Sequence, residues 1–321
     1  MSRSVFHLDP LPPFRLDLTA WTLRRRPENA VDRWDGQTYR RLLSLPSGLL
    51  EVAVIQVGPP QAPRLRVAVE GQPLRHPVQT AVESSLKRLL GTHVDMTAYY
   101  RFAERQRKLS ALSRRFRGVK PPRFATVFES VINAIACQQL TLTLGIRLLS
   151  DLAVTYGPAF QNGAMAVHSF PRPIDLAGLR PEDLRQLGFS RQKGRAMIEL
   201  ALAITEGRLD MEELAELPDD QSVERVRGLR GVGRWSAEYV LLRGLGRTNV
   251  FPGDDVGARN NLQRWLHLTK SLDYEGVRSV LARWNGYSGL VYFHLLLDRL
   301  EASGYLGKTL QSRRSVEIIN D

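Results

Sequence analysis

From Phe14 to about Val69 the chain is written in strand-length segments, FRLDLTAWTLR, TYRRLLSL, GLLEVAVIQVG and RLRVAVE, separated by Pro, Gly and Asn turns. Segments this close together predict one antiparallel sheet. After GQPLRHP the period changes: the apolar residues of VQTAVESSLKRLLG recur at helical spacing, and beyond them the sequence offers helices and short loops with no convincing strand. A sheet followed by helices is an α+β arrangement. The boundary falls near residues 75 to 95, dividing the chain into an N-terminal α/β sheet domain at 1–92 and a helical region at 93–321.

Within the helical region, FATVFESVINAIACQQLTLTLGIRLLSDLAVTYG is apolar enough for a central helix pair, and DLRQLGFSRQKGRAMIELALAI reads as a loop and then an amphipathic helix. The segment RFAERQRKLSALSRRFRGVKPPR holds one acid, Glu104, among many cations and predicts a solvated helix and linker. Over the 321 residues, 45 Lys and Arg stand against 33 Asp and Glu, a formal charge of +12 that favours a polyanionic partner, nucleic acid first. Cys137 is the single cysteine, which excludes a disulfide framework, a multi-cysteine zinc site and a four-cysteine cluster. The six histidines are scattered and make no H-E-x-x-H pattern. MSRSVFHLDPLPPF has no apolar core of signal-peptide length, and the charge-free SVINAIACQQLTLTLGI carries Asn, Gln and Thr throughout, so a buried helix in a cytoplasmic protein is expected.

Two stretches could carry chemistry. VERVRGLRGVGRWSAEYVLLRGLG reads as helix, tight glycine turn, helix, with Gly231 and Gly233 flanking Val232; amides opening the second helix would be free to bind a phosphate. GLGRTN lacks the third glycine of a dinucleotide site. NVFPGDDVGAR sets Asp254 beside Asp255, and taken alone the pair is an N-cap for VGARNNLQRWL.

Together, LRGVGRWSAEYVLLRGLGRTNVFPGDDVGAR resembles the signature of the helix-hairpin-helix (HhH-GPD) DNA glycosylases, specifically the AlkA-like 3-methyladenine DNA glycosylase II family. Hairpin (224–243), following helix, Phe-Pro turn and the Asp-Asp loop (249–259) arrive in order with the family spacing. The likeness extends through FESVINAIACQQLTLTLG and LGFSRQKGRAMIELA and more faintly into the N-terminal part. It implies a TBP-like sheet domain and two helical subdomains with a DNA cleft between them. The family's essential carboxylate lies twenty residues beyond the Trp of G-x-G-R-W, which selects Asp255 and leaves Asp254 as the helix cap. Trp235 stands where bifunctional relatives carry a catalytic Lys, which implies a glycosylase without lyase activity. Trp235 and Tyr239 would stack on the flipped base. Leu296 stands where relatives have a pocket Trp, and Ser288 replaces an Arg, so one aromatic wall is expected to be missing. The resemblance further assigns Gln139 as the wedge with Leu140 its neighbour, and Gly231, Gly233, Arg234 and Ser236 as DNA contacts. Main-chain carbonyls of Arg227, Leu229 and Val232 would hold Na+ or K+, and no other cofactor is implied. The implied activity is hydrolytic excision of alkylated bases, of the 3-methyladenine or 7-methylguanine type, from double-stranded DNA by a monomer. A non-catalytic hairpin module that recognises damaged DNA and a glycosylase for deaminated or oxidised purines are the competing readings. GKTLQSRRSVEIIND, at the C-terminus, carries no motif.

Overall fold

The computed structural model describes residues 2–162, 165–284 and 286–306; GKTLQSRRSVEIIND and Asn285 of the WNGYSG segment lie outside them. The sheet is antiparallel and five-stranded, in the order β1-β5-β4-β3-β2. Its strands are β1 (Ser2–Leu8), β2 (Arg33–Trp34), β3 (Thr38–Leu45), β4 (Gly48–Gln56) and β5 (Leu65–Gly71). Alternation sets the register: Leu50, Val52 and Val54 of β4 face inward, with Val52 opposite Val69 and Val54 opposite Val67.

One expected strand is a helix. FRLDLTAWTLR forms α1 (Leu16–Arg24), and every residue of it from Leu18 to Leu23 is buried. A helix enclosed on all sides shows no 3.6-residue stripe, so its Leu and Thr residues imitate a strand. The buried hydroxyls of Thr19 and Thr22 donate back to the carbonyls of Arg15 and Leu18, at 3.0 and 2.8 Å.

The sheet is followed by α2 (His76–Leu90), α3 (Thr97–Glu104), α4 (Arg107–Arg115), α5 (Val127–Cys137) and α6 (Leu142–Tyr156). Next come α7 (Pro173–Ala177), α8 (Pro181–Gln186), α9 (Arg191–Thr205), α10 (Asp219–Arg227) and α11 (Arg234–Val240), the last continuing in a wide turn over Leu241–Leu245. α12 (Val256–Leu266), α13 (Tyr274–Leu281) and α14 (Ser288–Ala302) are the last elements among the described residues. The expectation of no strand in this half is corrected by a small antiparallel hairpin after α6, β6 (Ala159–Asn162) and β7 (Met165–His168). Four-residue strands with largely exposed side chains leave almost no apolar alternation to read.

Two apolar clusters hold these elements together. The first runs from the sheet through α2, α5, α6 and α9 to α11, crossing the boundary at residue 92 without a break. The second joins α3 and α4 to α12, α13 and α14. α1 belongs to both: Leu16, Ala20 and Leu23 pack into the first, Leu18 and Trp21 into the second. A buried ion network also ties sheet to helices. Arg41 of β3 reaches Asp32 at 2.7 Å and Glu129 of α5 at 2.6 Å, and Tyr39 donates to Asp32 at 2.8 Å. Among the described residues no helix is long and apolar enough to cross a membrane.

Candidate active site

The hairpin forms as expected between α10 and α11. Gly231 has φ +73°, a left-handed value, and a Cβ there would meet Ala196 of α9 at 3.1 Å. The Val232 amide closes the turn onto the Leu229 carbonyl at 3.2 Å. Gly233 is the N-cap of α11 and no side chain caps that end, so the first amides of the helix are left for another acceptor.

α5 stops at Cys137 because Gln138 is extended and Gln139 is left-handed, φ +54°. The interruption is fastened from both sides. Lys193 of α9 donates to the carbonyls of Ala136 and Gln138, at 3.0 and 2.7 Å. The Gln138 amide donates to the Gly231 carbonyl at 2.7 Å and the Ser236 hydroxyl at 2.8 Å. Gln139 is left exposed at the apex, while Leu140 turns toward the cavity described below. Ser236, expected to face DNA, has only 1% of its surface exposed, and its hydroxyl is taken by Gln138; only its main chain remains for such a contact.

Asp255 opens α12. Its Oδ1 accepts the Ala258 amide at 2.9 Å, which makes it the N-cap. Asp254, expected in that role, is instead paired with Arg234 at 2.7 Å. The reason is backbone geometry: Asp255 is the residue in the extended conformation immediately before the helix. Arg234 pairs through Nε and lies 3.6 Å from the Tyr274 ring centroid, with its side chain 46% exposed.

Asp255 borders a cavity of about 380 Å³. From α11 come Trp235 and Tyr239, with ring centroids 5.6 Å apart and planes 30° off parallel. From α14 come Tyr292, Leu295, Leu296 and Arg299. The Tyr292 hydroxyl lies 3.4 Å from Asp255 Oδ2. Burial pushes the Asp255 carboxyl above the usual carboxylate range, and the Ala258 amide, the Trp235 side chain, the Gly257 amide and Tyr292 partly offset this. Leu296 lines the wall where no aromatic ring was expected, but Tyr292, one turn earlier on α14, returns an aromatic side chain to the same helix face.

Residues 132–285 match the family of HhH-GPD superfamily base excision DNA repair proteins. That match takes in just under half of the chain, running from within α5 through the hairpin and the Asp255 loop. Among its relatives is YfjP of Bacillus subtilis, provisionally named a DNA-3-methyladenine glycosylase, 27% identical over 290 residues that cover 90% of this chain and 96% of YfjP. DNA-3-methyladenine glycosylase 2 of Escherichia coli is 29% identical over 180 residues, 56% of this chain and 60% of the relative. The 3-methyladenine DNA glycosylase of Archaeoglobus fulgidus superimposes with a TM-score of 0.78 at 26% identity, over 91% of this chain and 97% of that one.

The protein adds to its cavity a residue that the sequence did not announce. Arg25, just past α1, has φ +64° and is 4% exposed. Its Nη1 donates to the Tyr239 hydroxyl at 2.7 Å and its Nη2 to Asn133 Oδ1 at 2.6 Å. Arg25 therefore fixes the Tyr239 ring and brings a buried cation to the cavity wall. In the sequence Arg25 is the middle of an Arg-Arg-Arg-Pro run that resembles a polar turn. Tyr292 was legible in principle, as the aromatic four positions before Leu296.

Proposed function

We propose that this protein is a monofunctional DNA glycosylase that removes alkylated purines from duplex DNA by hydrolysis of the N-glycosidic bond. The observation that carries the reading is the Asp255 carboxylate at the edge of a cavity walled by the Trp235–Tyr239 pair. Relatives named as 3-methyladenine glycosylases support it across most of the chain. DNA enters as the partner with the hairpin's open amides and the +12 charge behind it.

A base reaches the cavity only if it leaves the stack, and Gln139 is the exposed residue placed to fill the gap. The alkylated purine stacks on Trp235 and Tyr239, where an electron-poor ring gains most from aromatic faces. As C1′–N9 breaks, its electron pair passes to the base, which departs neutral, and positive charge develops on the sugar. The Asp255 anion stabilises that charge. Water then adds to C1′ and loses its proton to Asp255 or solvent, leaving an abasic site. No lysine lines the cavity among the described residues, so the expected chemistry stops at hydrolysis, without an imine. The carbonyls of Arg227, Leu229 and Val232 are uncharged oxygen donors, a set that suits Na+ or K+; such an ion would add positive charge beside a bound phosphate. A monomer suffices, because every proposed role falls within one chain.

Asp255→Asn tests the assignment. It keeps an acceptor for the Ala258 amide but removes the charge, so single-turnover release of free base should fall on the order of 10²–10³-fold. Excision at nearly the wild-type rate would remove Asp255 from the mechanism. One observation favours a second substrate class: the Arg25 cation at the cavity wall suits a neutral purine with a carbonyl acceptor, as in deaminated bases. A panel of duplexes carrying alkylated, deaminated and oxidised purines separates the two, and binding without any release would assign the chain to the non-catalytic reading.

A further inference from the structure

The turn that carries Asp255 is gripped by side chains from two other helices. Pro252 to Asp255 form a tight turn, with the Asp255 amide on the Pro252 carbonyl at 3.0 Å. Glu238 of α11 accepts the Gly253 amide on Oε2 at 3.0 Å and the Tyr274 hydroxyl on Oε1 at 2.6 Å. The Tyr274 ring, from α13, packs on Gly253 so closely that a Cβ there would lie 2.7 Å from Cδ2. Arg234 stacks against the same ring and pairs with Asp254. Thus α11 does two things: it presents Trp235 and Tyr239 to the cavity, and through Glu238 it holds the loop that brings Asp255 there.

We propose that Glu238 and Tyr274 are positioning residues that fix the Asp255 carboxylate against C1′ of the flipped nucleotide. This rests on the glycosylase reading. The carboxylate at 238 accepts from both donors at once, the Gly253 N–H and the Tyr274 O–H. A side chain without an acceptor, such as alanine, would release both. A second cavity, about 360 Å³, borders Glu238, Tyr274, Val250 and Phe251, just before the turn, so the two gripping side chains are not locked by packing on every side. A displacement of about 1 Å at a reacting centre is enough to lower a rate by roughly 10²-fold.

Glu238→Ala and Tyr274→Phe, each confirmed as folded by its thermal transition, should lower single-turnover excision about 10–100-fold. The double variant should be little worse than the poorer single one, since both break one linkage. The decisive readout is a pair of duplexes. One carries a protonated pyrrolidine in place of the flipped sugar, the other a neutral tetrahydrofuran. Wild type should prefer the cationic duplex; in both variants that preference should collapse while tetrahydrofuran affinity stays within about threefold. Unchanged rates and an unchanged preference in folded variants would overturn the proposal, as would equal weakening on both duplexes. Wild type indifferent to the pyrrolidine charge would overturn the glycosylase reading itself, and the proposal with it.

Discussion

Asp255 serves two masters with one carboxyl group: one oxygen caps α12 and the other is turned to Tyr292 and the cavity. A carboxyl so enclosed holds its proton more tightly than one in water, and the direction of the shift sets a pH dependence. In the proposed mechanism the anion is the working form, so activity should fall as acid protonates Asp255. Because burial raises its pKa, the midpoint of that loss should lie above the value of about 3.9 for a free aspartate. A pH profile of single-turnover excision measures it, and a midpoint at or below the free value would contradict the enclosed geometry. At this scale the sequence was informative where function depends on contiguous residues. Gly231, Trp235 and Asp255 lie in one stretch whose turns and spacing are local. It was blind where a partner arrives from elsewhere: nothing near Tyr239 announces Arg25, some 214 positions earlier. It also could not tell which aspartate would cap, because that depends on which of the two sits in the extended conformation directly before α12.

Elements show the same division. α10, α11 and α12 were readable because glycine and aspartate mark their ends, and α9 because one face of it is exposed. α1 was not, because a helix packed into two cores has no polar side to give it a period. The sheet and α5 are joined by Arg41, whose charge is matched by Asp32 and Glu129 in a site closed to water. Replacing Arg41 with alanine would strand two buried carboxylates. The loss should be about 3–5 kcal/mol, seen as a lower urea midpoint. A loss below about 1 kcal/mol would mean that water reaches the pair.

For the whole molecule, charge and packing act over different ranges. The net +12 works at a distance and is screened by salt, whereas the cavity acts at contact. Affinity for undamaged duplex should therefore fall linearly on a log–log plot against salt, each phosphate contact adding about −0.9 to the slope. Removing Gln139 by mutation to alanine should leave that slope unaltered while weakening capture of a flipped base; a changed slope would mean that Gln139 acts on the backbone instead. The cavity depends on the full length of the fold. Arg25 comes from the start of the chain and Tyr292 from near its end, with Trp235 and Asp255 between them. On a ribosome, then, the base pocket cannot close until α14 has emerged and returned to α1, and a nascent or prematurely ended chain would have a hairpin for DNA but no complete chamber in which to cut a base free.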